Sequence, residues 1–139
     1  PPAPVVQPPA PVVQEDLMLT LINDYRASNG LTPVSLAPAL SDSALGMAID
    51  MATKSYFSHF DSQGHSAFQR MRDAGYVGNV WRGENLAVGP ADAETVLTLW
   101  IASPTHNAVL LNPAYIAIGI GRAYGTEATG WYWAADFGG

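Results

Sequence analysis

The sequence has 139 residues, of which 48% are hydrophobic and 13% are charged, a balance that favours a folded domain over a disordered chain. Twelve acidic residues against six basic ones give a formal net charge of -6, which argues against binding nucleic acid through its phosphates. The chain has no cysteine, which excludes disulfides, thiolate metal sites and cysteine nucleophiles. No apolar run approaches the roughly 20 residues that cross a bilayer, so we expect no transmembrane segment.

The chain begins with a proline-rich repeat. The segment PPAPVVQ occupies residues 1–7 and recurs at 8–14. Proline fixes φ and lacks an amide donor, which favours polyproline II. We therefore predict a spacer over 1–14 and one folded domain over 15–139, with a ligand for a proline-binding groove as the alternative for the repeat. Because the first residue is Pro1 rather than Met, we expect a processed or trimmed chain whose signal peptide, if it had one, is gone.

Four helices are predicted from the spacing of apolar residues and from the residues that begin and end each stretch. They cover about residues 15–29, 38–54, 67–74 and 92–102. The polar segment 55–66, between the second and third of these helices, is predicted to be a loop.

Three strands are predicted, mostly late in the chain. The first lies around residues 82–88, and the second, 115–124, alternates in polarity and contains two glycines. The third, 131–137, is rich in aromatic residues, and the turn at 125–130 predicts an antiparallel hairpin of the last two strands. In this order of elements the helices come mostly first and the strands mostly last. The order predicts an α+β fold with helices packed on a small sheet, not a doubly wound parallel sheet.

Three short segments carry side chains of the kinds that take part in catalysis or in metal binding. His59 lies in the sequence SHFD of the loop, Glu84 and Asn85 lie in GENLA of the first strand, and Ser103 and His106 lie in SPTH after the last helix. Imidazoles titrate near neutral pH and bind metals. A carboxylate among glycine and apolar residues needs a specific partner. These side chains are candidates for one shared site, although spacing alone does not bring them together.

Each candidate also has a structural interpretation. His59 can be held by backbone groups, His106 can bond the free carbonyls at a helix end, and Glu84 can bond a loop backbone. Arg70 and Arg72 are expected to pair with acids near the loop, and such a pair would contribute only about 0–1 kcal/mol if it lies at the surface.

The order and separation of five motifs resemble those of the CAP superfamily (cysteine-rich secretory proteins, antigen 5 and pathogenesis-related 1), in its cysteine-free bacterial branch. The resemblance covers residues 17–137. The motifs are LINDYRASNGLTPVSLAPALSDSALGMAIDMA (21–52), YFSHFDSQGHSAFQRMRDAGY (56–76), GENLAVG (83–89), WIASPTHNAVLLNPAYIAIGIG (100–121) and WYWAADFG (131–138).

The resemblance implies an α-β-α sandwich with an antiparallel sheet between helical layers, and an exported protein that is secreted, periplasmic or at the cell surface. Members have a polar cleft lined by two histidines and two acids, which in some members holds a divalent ion such as zinc. By motif, His59, Glu84 and His106 match three members of this set and are the candidate metal ligands here.

The fourth acid has no match in this sequence. Where other members place an acid shortly after the tryptophan that matches Trp100, this chain has Ser103. Glu94 is the nearest substitute. Its spacing from Trp100 on the predicted helix, however, does not place the two side chains on the same face. Asn85 and Ser103, with Glu94, are expected to support the cleft.

Three functions stay open at this point. The leading hypothesis is a binding or interaction module whose cleft takes a lipid, a glycan or a protein and can hold a divalent cation such as zinc. The alternative is a metal-assisted hydrolase acting on cell-envelope or protein substrates, although the resemblance implies no established reaction. The third is a purely structural domain.

Overall fold

The structure, a computed structural model, describes residues 1–5, 8 and 10–139. Its helices are α1 (Gln14–Ser28), α2 (Pro38–Lys54), α3 (Ala67–Asp73), α4 (Ala93–Ala102) and α5 (Pro104–Leu110). Its strands are β1 (Ser35–Leu36), β2 (Arg82–Gly89), β3 (Ala117–Tyr124) and β4 (Trp131–Gly138). All four predicted helices and all three predicted strands are present, and β1 and α5 are additional elements.

The proline repeat leads directly into α1. Its described residues before Gln14 are exposed, whereas the Gln14 side chain already accepts a hydrogen bond from the Ala93 amide at 2.9 Å. Val6, Gln7 and Pro9 of the predicted spacer lie outside the described residues. Within the described part of the chain, no helix has the length and apolar character needed to cross a membrane.

The four strands form one sheet in the order β1-β3-β4-β2. The predicted hairpin is formed by β3 and β4, and β2 pairs antiparallel with the other side of β4. The two-residue strand β1 pairs parallel with β3, so the sheet is mixed rather than wholly antiparallel. The register places Glu84 of β2 directly opposite Asp136 of β4.

Helices cover both faces of the sheet. Side chains alternate along each strand, so a strand can contribute apolar side chains to both faces. Trp133 and Phe137 of β4 pack in the cluster that contains Ile22 of α1 and Trp100 of α4. Tyr132 and Ala134 point to the other face, where they join residues of α2. This three-layer arrangement is the sandwich that the resemblance implied.

Two glycines allow α2 to lie directly against β3. A Cβ at Gly119 would overlap the backbone of Leu40 and Ser41, and a Cβ at Gly121 would overlap the backbone of Leu45. Glycine in a strand often marks a close approach of another backbone, and here that backbone is helix α2.

The segment around Pro104 differs from the prediction. Pro104 does not simply end a helix but begins α5, in a position where its fixed φ and missing amide hydrogen are well tolerated. Ser103 is therefore shared between the end of α4 and the start of α5. His106, expected just past a helix end, lies in the first turn of α5.

Candidate functional site

Glu84 is the centre of a polar cluster that joins three segments of the chain. Its side chain is 2% exposed. Arg70 Nη2, from α3, donates to Glu84 Oε1 at 2.9 Å and to Oε2 at 2.8 Å. His59 Nδ1, from the loop that precedes α3, lies 2.9 Å from Oε1. The carboxylate thus receives hydrogen bonds on both oxygens, as a buried anion requires.

Arg70 is a member of this cluster rather than a surface residue. Its side chain is only 9% exposed, and its Nη2 also donates to the His59 carbonyl at 3.0 Å. Its Nη1 lies 3.7 Å from Asp136 Oδ2. Arg70 does pair with an acid near the loop, as expected, but the pair is buried rather than at the surface, because α3 lies over the sheet and carries the guanidinium inward. Arg72, with 62% of its side chain exposed, does form a surface pair with Asp73.

Asp136 supplies a second, fully buried carboxyl group beside Glu84. Ser43 Oγ of α2 donates to Asp136 Oδ2 at 2.8 Å. Burial, and then the negative charge of Glu84, raise the pKa of Asp136 well above its usual range. Although burial raises the pKa of Glu84, the hydrogen bonds of His59 and Asp136 and the charge of Arg70 bring that pKa below its ordinary value. The surroundings thus favour the negative charge on Glu84 and the proton on Asp136.

His106 is held by a second group of contacts. Its Nδ1 lies 2.8 Å from Ser103 Oγ, and its carbonyl accepts a hydrogen bond from Asn85 Nδ2 at 3.1 Å. Burial lowers the pKa of His106, and the charge of a protonated His59 lowers it further. Helix α5 and strand β2 together thus hold His106 in place.

The two groups of contacts approach β2 from opposite faces. Successive side chains of a strand point to opposite sides, so Glu84 meets Arg70 on one face and Asn85 meets α5 on the other. The predicted residues His59 and Glu84 are in direct contact, and Asn85 and Ser103 both contact His106. Glu94 is different: it is exposed in the first turn of α4, and its side chain makes no hydrogen bond or ion pair with any residue that the structure describes.

Sequence reasoning missed Asp136 and Ser43. One signal was available for Asp136, because it is a lone carboxylate in the aromatic and apolar strand WYWAADFG, and such a group needs a buried partner. Its partner could not be identified, since the pairing of β2 with β4 joins segments far apart in the chain.

A divalent cation does not fit beside the Glu84 carboxylate in this arrangement. Both Glu84 oxygens already accept from Arg70, and the ring nitrogen of His59 nearest to them faces the same carboxylate. An ion placed there would meet a guanidinium. Among residues 1–5, 8 and 10–139, no group of three or more histidine, aspartate or glutamate side chains is placed to hold a metal ion.

A pocket of about 390 Å³ adjoins the cluster on the side of α2 and α3. Ser43 and Arg70 contribute to its wall, together with four aspartates, but neither His59 nor His106 does. The aspartates are Asp42, Asp50, Asp61 and Asp73. The surface that carries His59 and this acidic pocket are therefore two separate features. The buried cluster lies between them.

Comparison with known families agrees with the fold and with the order of the motifs. Residues 19–137 match the CAP family, described as the cysteine-rich secretory protein family. The chain belongs to this family.

Several similar proteins come from bacteria. The chain is 33% identical over 114 residues to the uncharacterized protein YkwD of Bacillus subtilis (strain 168), a match that spans 82% of this chain and 44% of YkwD. It is similar to an extracellular protein containing an SCP domain from Bacillus anthracis str. Ames, with 25% identity, a TM-score of 0.79, and coverage of 90% of this chain and 40% of that one. The chain thus spans less than half the length of these two relatives.

A third relative is similar over nearly its whole length. An outer surface protein from Borrelia burgdorferi has a TM-score of 0.80 at 24% identity, and the match covers 88% of this chain and 90% of that one. At this identity the likeness shows that the two proteins share the fold.

Proposed function

We propose that this CAP domain is an exported binding module, secreted, periplasmic or at the cell surface, and that the surface around His59 contacts glycan of the cell envelope. The observation that carries the proposal is the state of His59. Its side chain is 57% exposed, yet its Nδ1 is fixed by the buried Glu84. Because a carboxylate only accepts, the hydrogen bond to Glu84 puts a hydrogen on Nδ1 and leaves Nε2 to form a hydrogen bond with a ligand.

Two exposed aromatic rings flank His59 in the chain. Phe57 is 52% exposed and Phe60 is 59% exposed. Exposed apolar side chains beside a fixed polar group are a common feature of binding surfaces. Sugar rings offer both an apolar face for an aromatic ring and hydroxyl groups for an imidazole, which favours a glycan over a lipid or a protein as the ligand.

The location is supported by the relatives. One is called an extracellular protein and another an outer surface protein. A proline-rich spacer before the domain suits a module that is held away from a surface or from another domain.

The proposal is tested by co-sedimentation of the whole chain with purified peptidoglycan. We expect His59→Ala and Phe60→Ala to weaken binding about tenfold each, a loss of about 1.4 kcal/mol. The matched control is His65→Ala, because His65 lies in the same loop, is 40% exposed and contacts Asp61 rather than the cluster. Binding to lipid vesicles or to immobilised casein instead of peptidoglycan would contradict the glycan assignment, and equal binding by all variants would contradict the site.

The alternative, a metal-assisted hydrolase acting on cell-envelope or protein substrates, gains no support from the cluster. Glu84 is buried, and both of its oxygens already accept hydrogen bonds from Arg70, as expected of a structural carboxylate. Turnover of peptidoglycan or casein that needs added zinc and is lost in His59→Ala and His106→Ala would establish this alternative instead.

A further inference from the structure

We propose that the guanidinium of Arg70 takes the place that a metal cation would occupy beside Glu84, so that the cluster contains its own cation and excludes divalent ions. This inference concerns the buried cluster and does not depend on which ligand binds at the surface. It follows from the coordination of one nitrogen atom, from the way the fold holds that atom and from the arrangement of the neighbouring carboxyl group.

The surroundings of Arg70 Nη2 resemble a cation site. Three oxygen atoms lie around it: the two carboxylate oxygens of Glu84 at 2.9 and 2.8 Å and the carbonyl oxygen of His59 at 3.0 Å. Carboxylate and carbonyl oxygens are the ligands that hard cations prefer. A second carboxyl group, that of Asp136, lies 3.7 Å from Nη1. A metal ion would need the same oxygens and would have to displace the guanidinium.

The fold keeps the guanidinium in this position. Helix α3 begins with a capping box in which the Ser66 amide donates to the Gln69 side chain at 2.9 Å and the Gln69 amide donates to Ser66 Oγ at 3.2 Å. The Arg70 amide follows, bonded to the Ser66 carbonyl at 2.9 Å. The Arg70 side chain is 9% exposed. A tethered, buried cation has a high effective concentration at its site, which a free ion must overcome.

Removal of the guanidinium would leave a set of donors without a cation. Glu84 and Asp136 are directly opposite one another on β2 and β4, and His59 Nδ1 lies 2.9 Å from Glu84 Oε1. With the guanidinium in place these three groups are not arranged to hold a metal ion. Once it is removed they can rearrange around one, and two carboxyl groups with one imidazole are a suitable ligand set for zinc. We therefore expect a variant without the arginine charge to gain affinity for a divalent ion that the wild-type protein does not bind there.

The test compares thermal unfolding of the wild type and of Arg70→Met, each with zinc chloride and with EDTA. Methionine replaces the aliphatic part of the arginine side chain but lacks the guanidinium group and its charge. We expect the wild-type midpoint to be the same in both buffers. We expect Arg70→Met to unfold earlier in EDTA and to recover at least about 4 °C with zinc. Arg72→Met is the matched control on the same helix, because that side chain is 62% exposed; it should show neither the loss nor the response.

Two results would overturn the proposal. One is zinc bound by the wild type at this cluster, seen by equilibrium dialysis and lost in His59→Ala. The other is a folded Arg70→Met whose midpoint does not respond to zinc. If Arg70→Met is unfolded in both buffers, equilibrium dialysis of the wild type decides. Zinc binding by the wild type that disappears in His59→Ala contradicts the proposal, and the absence of such zinc binding supports it.

Discussion

At the scale of single residues, Asp50 shows how the loop that carries His59 is attached to α2. Its carboxylate accepts from the Ser62 amide and from Ser62 Oγ, both at 2.9 Å, and from the Tyr56 hydroxyl. Lys54 Nζ lies 3.1 Å away. Although burial raises the pKa of Asp50, these hydrogen bonds hold that pKa well below its usual range.

This contact predicts a pH-dependent effect of Asp50→Asn. A depressed pKa in the folded state contributes stability above the unfolded pKa of about 3.9, and the contribution is lost as the pH falls toward the folded value. We expect the variant to be about 1–3 kcal/mol less stable at pH 7, with a difference that shrinks below about pH 4.

Urea unfolding at several pH values measures this difference. Asp42→Asn is the control, because Asp42 is exposed on the same helix and should change stability little at any pH. A deficit of Asp50→Asn that stays constant from neutral to acid pH would show that the carboxylate charge is not what attaches the loop.

At the scale of elements, the contact between α2 and β3 depends on glycine. Gly119→Ala places a Cβ against the backbone of Leu40 and Ser41, and backbone cannot move aside as a flexible side chain can. We expect a loss of about 2–4 kcal/mol in the free energy of unfolding, measured by urea denaturation.

Gly46→Ala is the matched control for this substitution. Gly46 lies in α2, and a Cβ there has no heavy atom within 4 Å. Alanine is a better helix former than glycine by about 0.5–1 kcal/mol, so this variant should be slightly more stable. Equal effects of Gly119→Ala and Gly46→Ala would mean that α2 does not lie directly on β3.

Helices with regular apolar spacing could be predicted from the sequence, and α2 (Pro38–Lys54) has the predicted bounds. Helix α5 could not be predicted in the same way, because a proline such as Pro104 interrupts a helix and equally suits the first turn of a new one. Strand β1 is two residues long, which is too short for any periodicity to indicate.

At the scale of the whole molecule, the candidate site was predicted only in part. The motifs that contain His59, Glu84 and His106 are local and recognisable. The burial of Arg70 and the pairing of Glu84 with Asp136 depend on how α3 and β4 lie against β2, and no short stretch of sequence specifies these long-range contacts.

The predicted division between spacer and domain has a consequence for stability. The described residues of the repeat before Gln14 are exposed. We expect a chain that lacks residues 1–12 to unfold in urea within about 0.5 kcal/mol of the full chain. Gln14→Ala is a useful comparison, because it leaves the Ala93 amide without its partner and should cost more. A deletion that costs more than this substitution would show that the repeat packs on the domain.

Arg70 and Glu84 depend on each other inside a cluster that ties the loop, α3 and β2 together, and the site described above rests on this dependence. A double-mutant cycle with Arg70→Met and Glu84→Gln, followed by urea unfolding, measures it. We expect a coupling of at least about 2 kcal/mol, because either single change leaves a buried charge without its partner. Effects of the two substitutions that add within about 0.5 kcal/mol would show that the two side chains are independent.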